Sequence, residues 1–224
     1  MMKKNKAAVL HGVKDLKFEE FEIPKPLAYE VVIRNEYVSI CTVEQRAYSG
    51  ARNFGFPFIG GHESSGVVVG VGEGVTGLKE GDKVVATYGY CGHCEFCQKG
   101  QGTQCVNSRS NRPRLDFEGT IIGGAFAQYI VVPQWQTVKL ADDANLEHSA
   151  LTEPLACVIH STRKTRLSFG DTAVIIGFGV MGYFHLKLAL LSGARVIVSE
   201  PDQARREKAL ESGEPLFDVT ISGE

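Results

Sequence analysis

The stretch from Thr172 to Glu200 decides the architecture of the second part of the chain. It reads Thr172-Ala173-Val174-Ile175-Ile176, then Gly177-Phe178-Gly179-Val180-Met181-Gly182, then an apolar run to Ser192, then Arg195-Val196-Ile197-Val198-Ser199-Glu200. A short β-branched run closed by glycines reads as a buried strand, and Arg195–Ser199 repeats that signature. Between them, Gly179–Ser192 is long and apolar enough for a packed helix. Working outward, a polar helix is predicted over Asp202–Ser212 and a third strand over Asp218–Ile221. Upstream, Asn145–Ala156 and Ala156–Thr165 have helical texture, with Pro154 kinking or dividing them. Strand and helix alternate, which predicts a parallel, doubly wound α/β sheet.

The glycine turn carries chemistry as well as shape. Gly177 permits the tight turn, Gly179 lets backbone approach a pyrophosphate, and Gly182 lets helix and strand pack closely. The N–H groups that open the helix, at Val180 and Met181, face the negative charge. Glu200 ends the next strand about 20 residues on, where a carboxylate meets the ribose hydroxyls of a dinucleotide. Such a carboxylate repels an extra 2′-phosphate, so NAD is expected rather than NADP. Arg205 and Arg206 either relieve that repulsion or lie on a solvated helix face.

From Ala7 to about Val138 the texture is different. Short runs rich in Val, Ile and Tyr (Ala7–Leu10, Glu30–Val38, Gly66–Val71, Asp82–Ala86, Tyr129–Val132) are separated by glycine turns, which predicts an all-β, barrel-like domain. The 224 residues are 43% hydrophobic and 22% charged, enough for an unstapled core. Lys and Arg number 24 against 26 Asp and Glu, a net charge of −2. That balance offers no broad basic surface and argues against nucleic acid. No apolar run approaches the ~20 residues of a membrane span. The basic start, Met1 to Lys6, is followed only by a short apolar stretch broken at His11-Gly12, which is neither a secretory signal nor a transit peptide. The expected compartment is the cytoplasm, with no membrane partner.

Four of the six cysteines fall within fifteen residues, as Cys91-Gly-His-Cys94-Glu-Phe-Cys97 followed by Cys105. In a reducing compartment this density reads as metal binding rather than disulfides. Four thiolates with no open position make a structural, tetrahedral zinc site. His93 is a bystander, since sulfur fills all four positions. A nucleic-acid-binding ribbon is the competing reading, but Lys99 is the only basic residue in the lobe and Glu95 lies beside it.

Gly61-His62-Glu63-x-x-Gly66-x5-Gly72-x-x-Val75, together with the cysteine lobe, Gly124-Ala-Phe126-Ala-Gln-Tyr129, Glu153-Pro154-Leu155-Ala156 and the glycine turn, resembles the medium-chain zinc-dependent alcohol dehydrogenases. The Glu153-Pro-Leu form looks most like their sorbitol and threonine dehydrogenase branch. The resemblance implies a GroES-like β-barrel domain over residues 1–150, followed by part of a Rossmann domain over 151–224. It further implies a catalytic zinc held by Cys41, His62 and Glu63, with Glu153 as a near fourth ligand or a water-holding neighbour. Three protein ligands plus one exchangeable position suit a catalytic zinc. The implied reaction moves hydride between a polyol, sugar alcohol or related secondary alcohol and NAD. After four structural cysteines and one catalytic, Cys157 is left over and is expected to be a buried apolar residue.

Two departures from the family pattern stand out. Cys41 is followed by Thr42-Val43-Glu44, so Val43 occupies the place of a proton-relaying hydroxyl; Glu44 retains the acid that orients His62, and Arg46 stands where a histidine is usual. The chain also supplies only about one βαβαβ half before Gly223-Glu224, and so reads as C-terminally truncated. A truncated Rossmann half predicts an unpaired edge beside Val174 and Ile176 and a weakened homo-oligomer. The alternative reading is a non-catalytic zinc-binding fragment that is inactive or needs a partner chain. Arg109, Arg112 and Arg114 read as a solvated loop, or else as a site for an anionic substrate group.

Overall fold

A computed structural model describes residues 4–108, 113–211 and 218–220. The chain divides into two units, Met1–Glu153 and Pro154–Glu224.

The first unit is built mainly of strands. Strands β1 (Asn5–Gly12) and β2 (Asp15–Phe21) form an antiparallel hairpin, followed by β3 (Glu30–Val38) and helix α1 (Thr42–Ser49). Then come β4 (Phe58–Ile59), β5 (Ser64–Val71), β6 (Lys83–Ala86) and helix α2 (Glu95–Gln98). β7 (Thr120–Ile121), β8 (Tyr129–Pro133), β9 (Thr137–Lys139) and helix α3 (Leu146–Ser149) complete the unit. Two sheets result, ordered β2-β1-β4-β7 and β8-β3-β5-β6-β9. Ala7, Val9 and Ile59 from the first share one core with Val31, Ile33, Val68, Val84, Ile130 and Val132 from the second. All of these but Ala7 are β-branched, and such side chains fit a pleated, doubly covered surface, which is why the sequence alternates as it does. Irregularities in β3, between Val32 and Ile33 and between Asn35 and Tyr37, bend the sheet toward closure.

The second unit alternates helix and strand: α4 (Thr152–Thr165, which begins two residues before it), β10 (Thr172–Ile176), α5 (Val180–Leu191), β11 (Arg195–Ser199), α6 (Gln203–Glu211) and β12 (Asp218–Thr220). The strands are parallel and ordered β10-β11-β12, with Thr172 opposite Arg195 and Ile197 opposite Asp218. Leu186 and Ala189 of α5 and Ala209 of α6 pack on Val196 and Val198 of β11. On β10 the alternate residues Val174 and Ile176 are exposed, and among the described residues that strand pairs only with β11. Among the described residues no helix is long and apolar enough to cross a membrane.

The structure corrects two details of the sequence reading. The helical stretch before β10 is broken around Ala150–Leu151, and Pro154 sits in the first turn of α4, where its missing N–H has no helical partner to lose. Cys157 is exposed, because Pro154 and Val158 carry the buried face of α4 and Cys157 is rotated off it. The third strand spans Asp218–Thr220; Ile221 lies outside the described residues, as do Ser212, Arg109 and Arg112.

Candidate functional site

Cys41 lies just ahead of α1 in extended conformation, and α1 ends at Gly50, whose left-handed φ of 80° a side chain would strain. His62 and Glu63 lie in the short segment that enters β5. The Ser39 N–H donates to the Glu63 carbonyl at 2.9 Å, tying the Cys41 segment to the His-Glu pair. The donor atoms of Cys41, His62 and Glu63 all lie within 4.8 Å of one another.

Glu44, in the first turn of α1, governs this cluster. Its Oε1 accepts from His62 Nδ1 at 2.9 Å and from the Gly61 N–H at 3.0 Å. With Nδ1 so engaged, Nε2 is the nitrogen left for a metal. Burial pushes the Glu44 carboxyl up, but the bonds from His62 and Gly61 outweigh it and hold it below the ordinary value. The same bond to Glu44 raises His62. Burial pushes up the Cys41 thiol, with a smaller push from the Glu63 charge, and burial likewise raises the Glu63 carboxyl, where the Cys41 hydrogen bond and the His62 charge pull the other way and Glu153 adds to the rise. Burial disfavours the charged forms of Cys41 and Glu63, and a cation among the three donors would favour them. Glu153 is not within that donor set, yet its charge acts on both His62 and Glu63.

The second cluster is Cys91, Cys94, Cys97 and Cys105, again with all donor atoms within 4.8 Å. The sulfurs lie 3.9 Å apart for Cys91–Cys97, 3.5 Å for Cys94–Cys97 and 3.9 Å for Cys94–Cys105. A tetrahedron with Zn–S bonds of ~2.3 Å needs about 3.8 Å, so the thiols fit zinc closely. The Cys91 amide donates to Cys105 Sγ and the Cys94 amide to Cys91 Sγ, each at 3.3 Å, and Asn107 Nδ2 reaches Cys91 Sγ at 3.5 Å. Burial opposes ionisation of Cys91, but hydrogen bonds from Asn107, the His93 and Cys94 amides and the Cys105 thiol bring it down to about 5. His93 turns Nδ1 to the Cys91 carbonyl, 2.9 Å away, rather than toward the sulfurs.

In the second unit Gly177 has φ +94° and links β10 to Gly179, which caps α5. A Cβ on Gly182 would lie 2.0 Å from the Gly177 carbonyl oxygen, so only glycine lets the helix start this close to the turn. Glu200 is buried; its Oε2 accepts from the Phe178 N–H at 2.5 Å and its Oε1 from the Asp202 N–H at 2.9 Å. Those two bonds hold the carboxyl below its ordinary value. Arg205 Nη1 lies 4.0 Å from Glu200, and Arg206 Nη1 donates to the carbonyls of Glu200 and Pro201.

Residues 28–142 match the alcohol dehydrogenase GroES-like domain, which is slightly more than half of the chain. The chain belongs to the alcohol dehydrogenase family. Among its dehydrogenase relatives, a sorbitol dehydrogenase of Halalkalibacterium halodurans is 35% identical over 91% of this chain and 58% of its own length. A 2-dehydro-3-deoxy-L-galactonate 5-dehydrogenase of Pseudoalteromonas atlantica is 38% identical over 92% of this chain and 60% of its own. A solved structure from Sinorhizobium meliloti, described as a zinc-binding dehydrogenase and bound to NADP, superposes with a TM-score of 0.83 at 29% identity, covering 98% of this chain and 62% of that one. The chain thus spans about three fifths of the length of the curated relatives it matches.

In this alcohol dehydrogenase chain, Arg114 is committed to structure. Its Nε donates to Glu30 Oε1 at 3.0 Å and its Nη2 to Glu30 Oε2 and the Lys25 carbonyl, so it is no free anion-binding group. Two contributors escaped the sequence reading. Gly123, at φ +74°, sits so close to the Gly61 carbonyl that a Cβ would lie 2.0 Å from it; the Gly123-Gly124 doublet was the available signal. Asn107 was signalled only by its nearness to Cys105.

Proposed function

We propose that the chain is part of a zinc-dependent oxidoreductase that moves hydride between a secondary alcohol (a polyol, sugar alcohol or related sugar acid) and NAD. The observation that carries this is the open cluster of Cys41, His62 and Glu63 with Glu44 behind His62. In this reading residues 1–150 are the catalytic domain and 151–224 the first half of the dinucleotide-binding domain. When bound, zinc supplies a Lewis acid that lowers the pKa of an alcohol, and the nicotinamide supplies the hydride acceptor.

The chain's own residues do the rest. Cys41, His62 and Glu63 hold the metal, and Glu44 keeps the proton on His62 Nδ1 so that Nε2 stays a ligand. Glu153 places water or substrate beside them. Val43 brings no hydroxyl, so the substrate proton leaves through water or a carboxylate. Cys91, Cys94, Cys97 and Cys105 hold a second, structural zinc. Gly177, Gly179, Val180, Met181 and Gly182 form the pyrophosphate turn, and Glu200 selects NAD over NADP, with Arg205 beside it. The protein works in the cytoplasm, as a homo-oligomer.

The test is elemental analysis of chelator-free protein, followed by NAD-reduction assays across polyols on the full-length enzyme. Two zinc ions per chain and NAD-linked oxidation of a polyol are expected. Absence of zinc from the open cluster, or turnover that survives loss of His62, overturns the reading.

A further inference from the structure

The four sulfurs of the cysteine lobe are not equally served by hydrogen-bond donors. Cys91 Sγ accepts from the Cys94 amide at 3.3 Å and from Asn107 Nδ2 at 3.5 Å, and the His93 amide bonds to it as well. Cys105 Sγ accepts from the Cys91 amide at 3.3 Å and from the Asn107 amide. The amides of Cys97 and Val106 bond to Cys94 Sγ. Among the described residues no N–H donates to Cys97 Sγ, whose partners are the sulfurs of Cys91 and Cys94. The path of the chain explains the gap. Past Cys91 the backbone turns at Gly92, with φ +78°, and the amides two and three residues on point back at the sulfur. Cys97 lies in α2, and the amides that follow it are spent on carbonyls: Lys99 on Glu95 at 3.1 Å, Gly100 on Cys97 at 3.0 Å and Gln101 on Phe96 at 2.8 Å.

Access sharpens the difference. Cys91 and Cys105 are buried, whereas Cys94 and Cys97 are both partly exposed and differ in their hydrogen bonds. An N–H on a thiolate draws charge off the sulfur and must be given up before the lone pair attacks. The sulfur with no such bond and a face to solvent is the nucleophile of its set. We infer that Cys97 is a modification site for soft carbon electrophiles of the α,β-unsaturated carbonyl class, and the point at which the lobe opens. The thiolate sulfur bonds to the β-carbon, and the electron pair of the C=C bond takes a proton from water at the α-carbon, leaving hydroxide. The product is a neutral thioether, so the lobe keeps three thiolates and no longer holds its metal. The inference rests on the reading of this lobe as a zinc site.

Treating the zinc-loaded protein with a deficit of N-ethylmaleimide tests this. Adducts are mapped by peptide mass spectrometry, those at Cys41 and Cys157 being counted apart, and released zinc is followed with a chromophoric chelator. Cys97 is expected to react about tenfold or more faster than Cys94, with zinc released in step with the Cys97 adduct. Protein stripped with a chelator should react evenly at Cys94 and Cys97, since the amide bonds depend on the closed lobe. The inference is overturned if the two react alike in the loaded lobe, or if the preference for Cys97 survives stripping and so belongs to its local sequence. Zinc content measured before the reagent is added reports on the metal reading. An empty lobe overturns both readings, and a loaded lobe that reacts evenly overturns this one alone.

Discussion

The two donor clusters share one unit and are built in opposite ways. In the cysteine lobe all four sulfurs come from one stretch of fifteen residues, and its amides and Asn107 supply the hydrogen bonds that hold the sulfurs. The Cys41, His62 and Glu63 cluster joins two distant segments, and its geometry depends on Glu44 in α1 and on Gly60-Gly61 being gripped by the N–H groups of Ala125 and Phe126. One site carries its own scaffold; the other borrows the scaffold of the barrel. A self-contained site should lose its local shape with its metal, whereas a borrowed one should lose metal and keep its shape.

Cys94→Ser probes that contrast with the largest effect. Apparent zinc binding in small thiolate sites is worth ~10–16 kcal/mol, so losing one ligand should empty the lobe and open Glu95–Gln104 to limited proteolysis. A lobe that stays protected without zinc would erase the distinction. His62→Ala should empty the other cluster while the far-UV spectrum stays that of the parent, with turnover falling to background in the full-length enzyme. Glu44→Gln keeps all three ligands and should weaken zinc at that cluster by about 10–100-fold, measured by chelator competition, with the lobe unaffected.

The smallest effect lies in the other unit. Glu200→Gln should cost about 1–2 kcal/mol in unfolding at neutral pH, since the charge that receives the Phe178 and Asp202 N–H groups is gone. The sign of the pH dependence follows from the lowered carboxyl. A depressed folded value means the contribution is present above the unfolded value of about 4.5 and is lost as pH falls through the folded value. The parent should therefore lose stability more steeply than Glu200→Gln below about pH 4.5, as urea titrations at several pH values would show.

Legibility in the sequence follows the same divide. Strands β3, β10 and β11 were readable to the residue because apolar runs between turn signals leave little choice. Helix α1 was not, since Thr42–Ser49 buries only Glu44 and Ala47 and shows no apolar stripe; packing against the barrel makes it helical. The two-residue strands β4 and β7 carry too few residues for any periodicity. The cysteine lobe announced itself by local spacing, whereas Cys41, His62 and Glu63 were grouped only through a family resemblance.

The join between lobe and barrel has a practical consequence. Trp135, the only tryptophan of the chain, donates its indole N–H to the Tyr90 carbonyl at 3.3 Å, and a Cβ on Gly92 would lie 3.3 Å from the indole ring. Gln136 Nε2 donates to the same carbonyl at 2.6 Å, and the Tyr90 hydroxyl donates back to the Trp135 carbonyl. Cys91 follows Tyr90 directly. The protein's single strong emitter is therefore wired to one of its two candidate metals. Stripping the lobe should shift the emission to longer wavelength, and emptying the Cys41 cluster should leave it still, so one cuvette can tell which ion has departed.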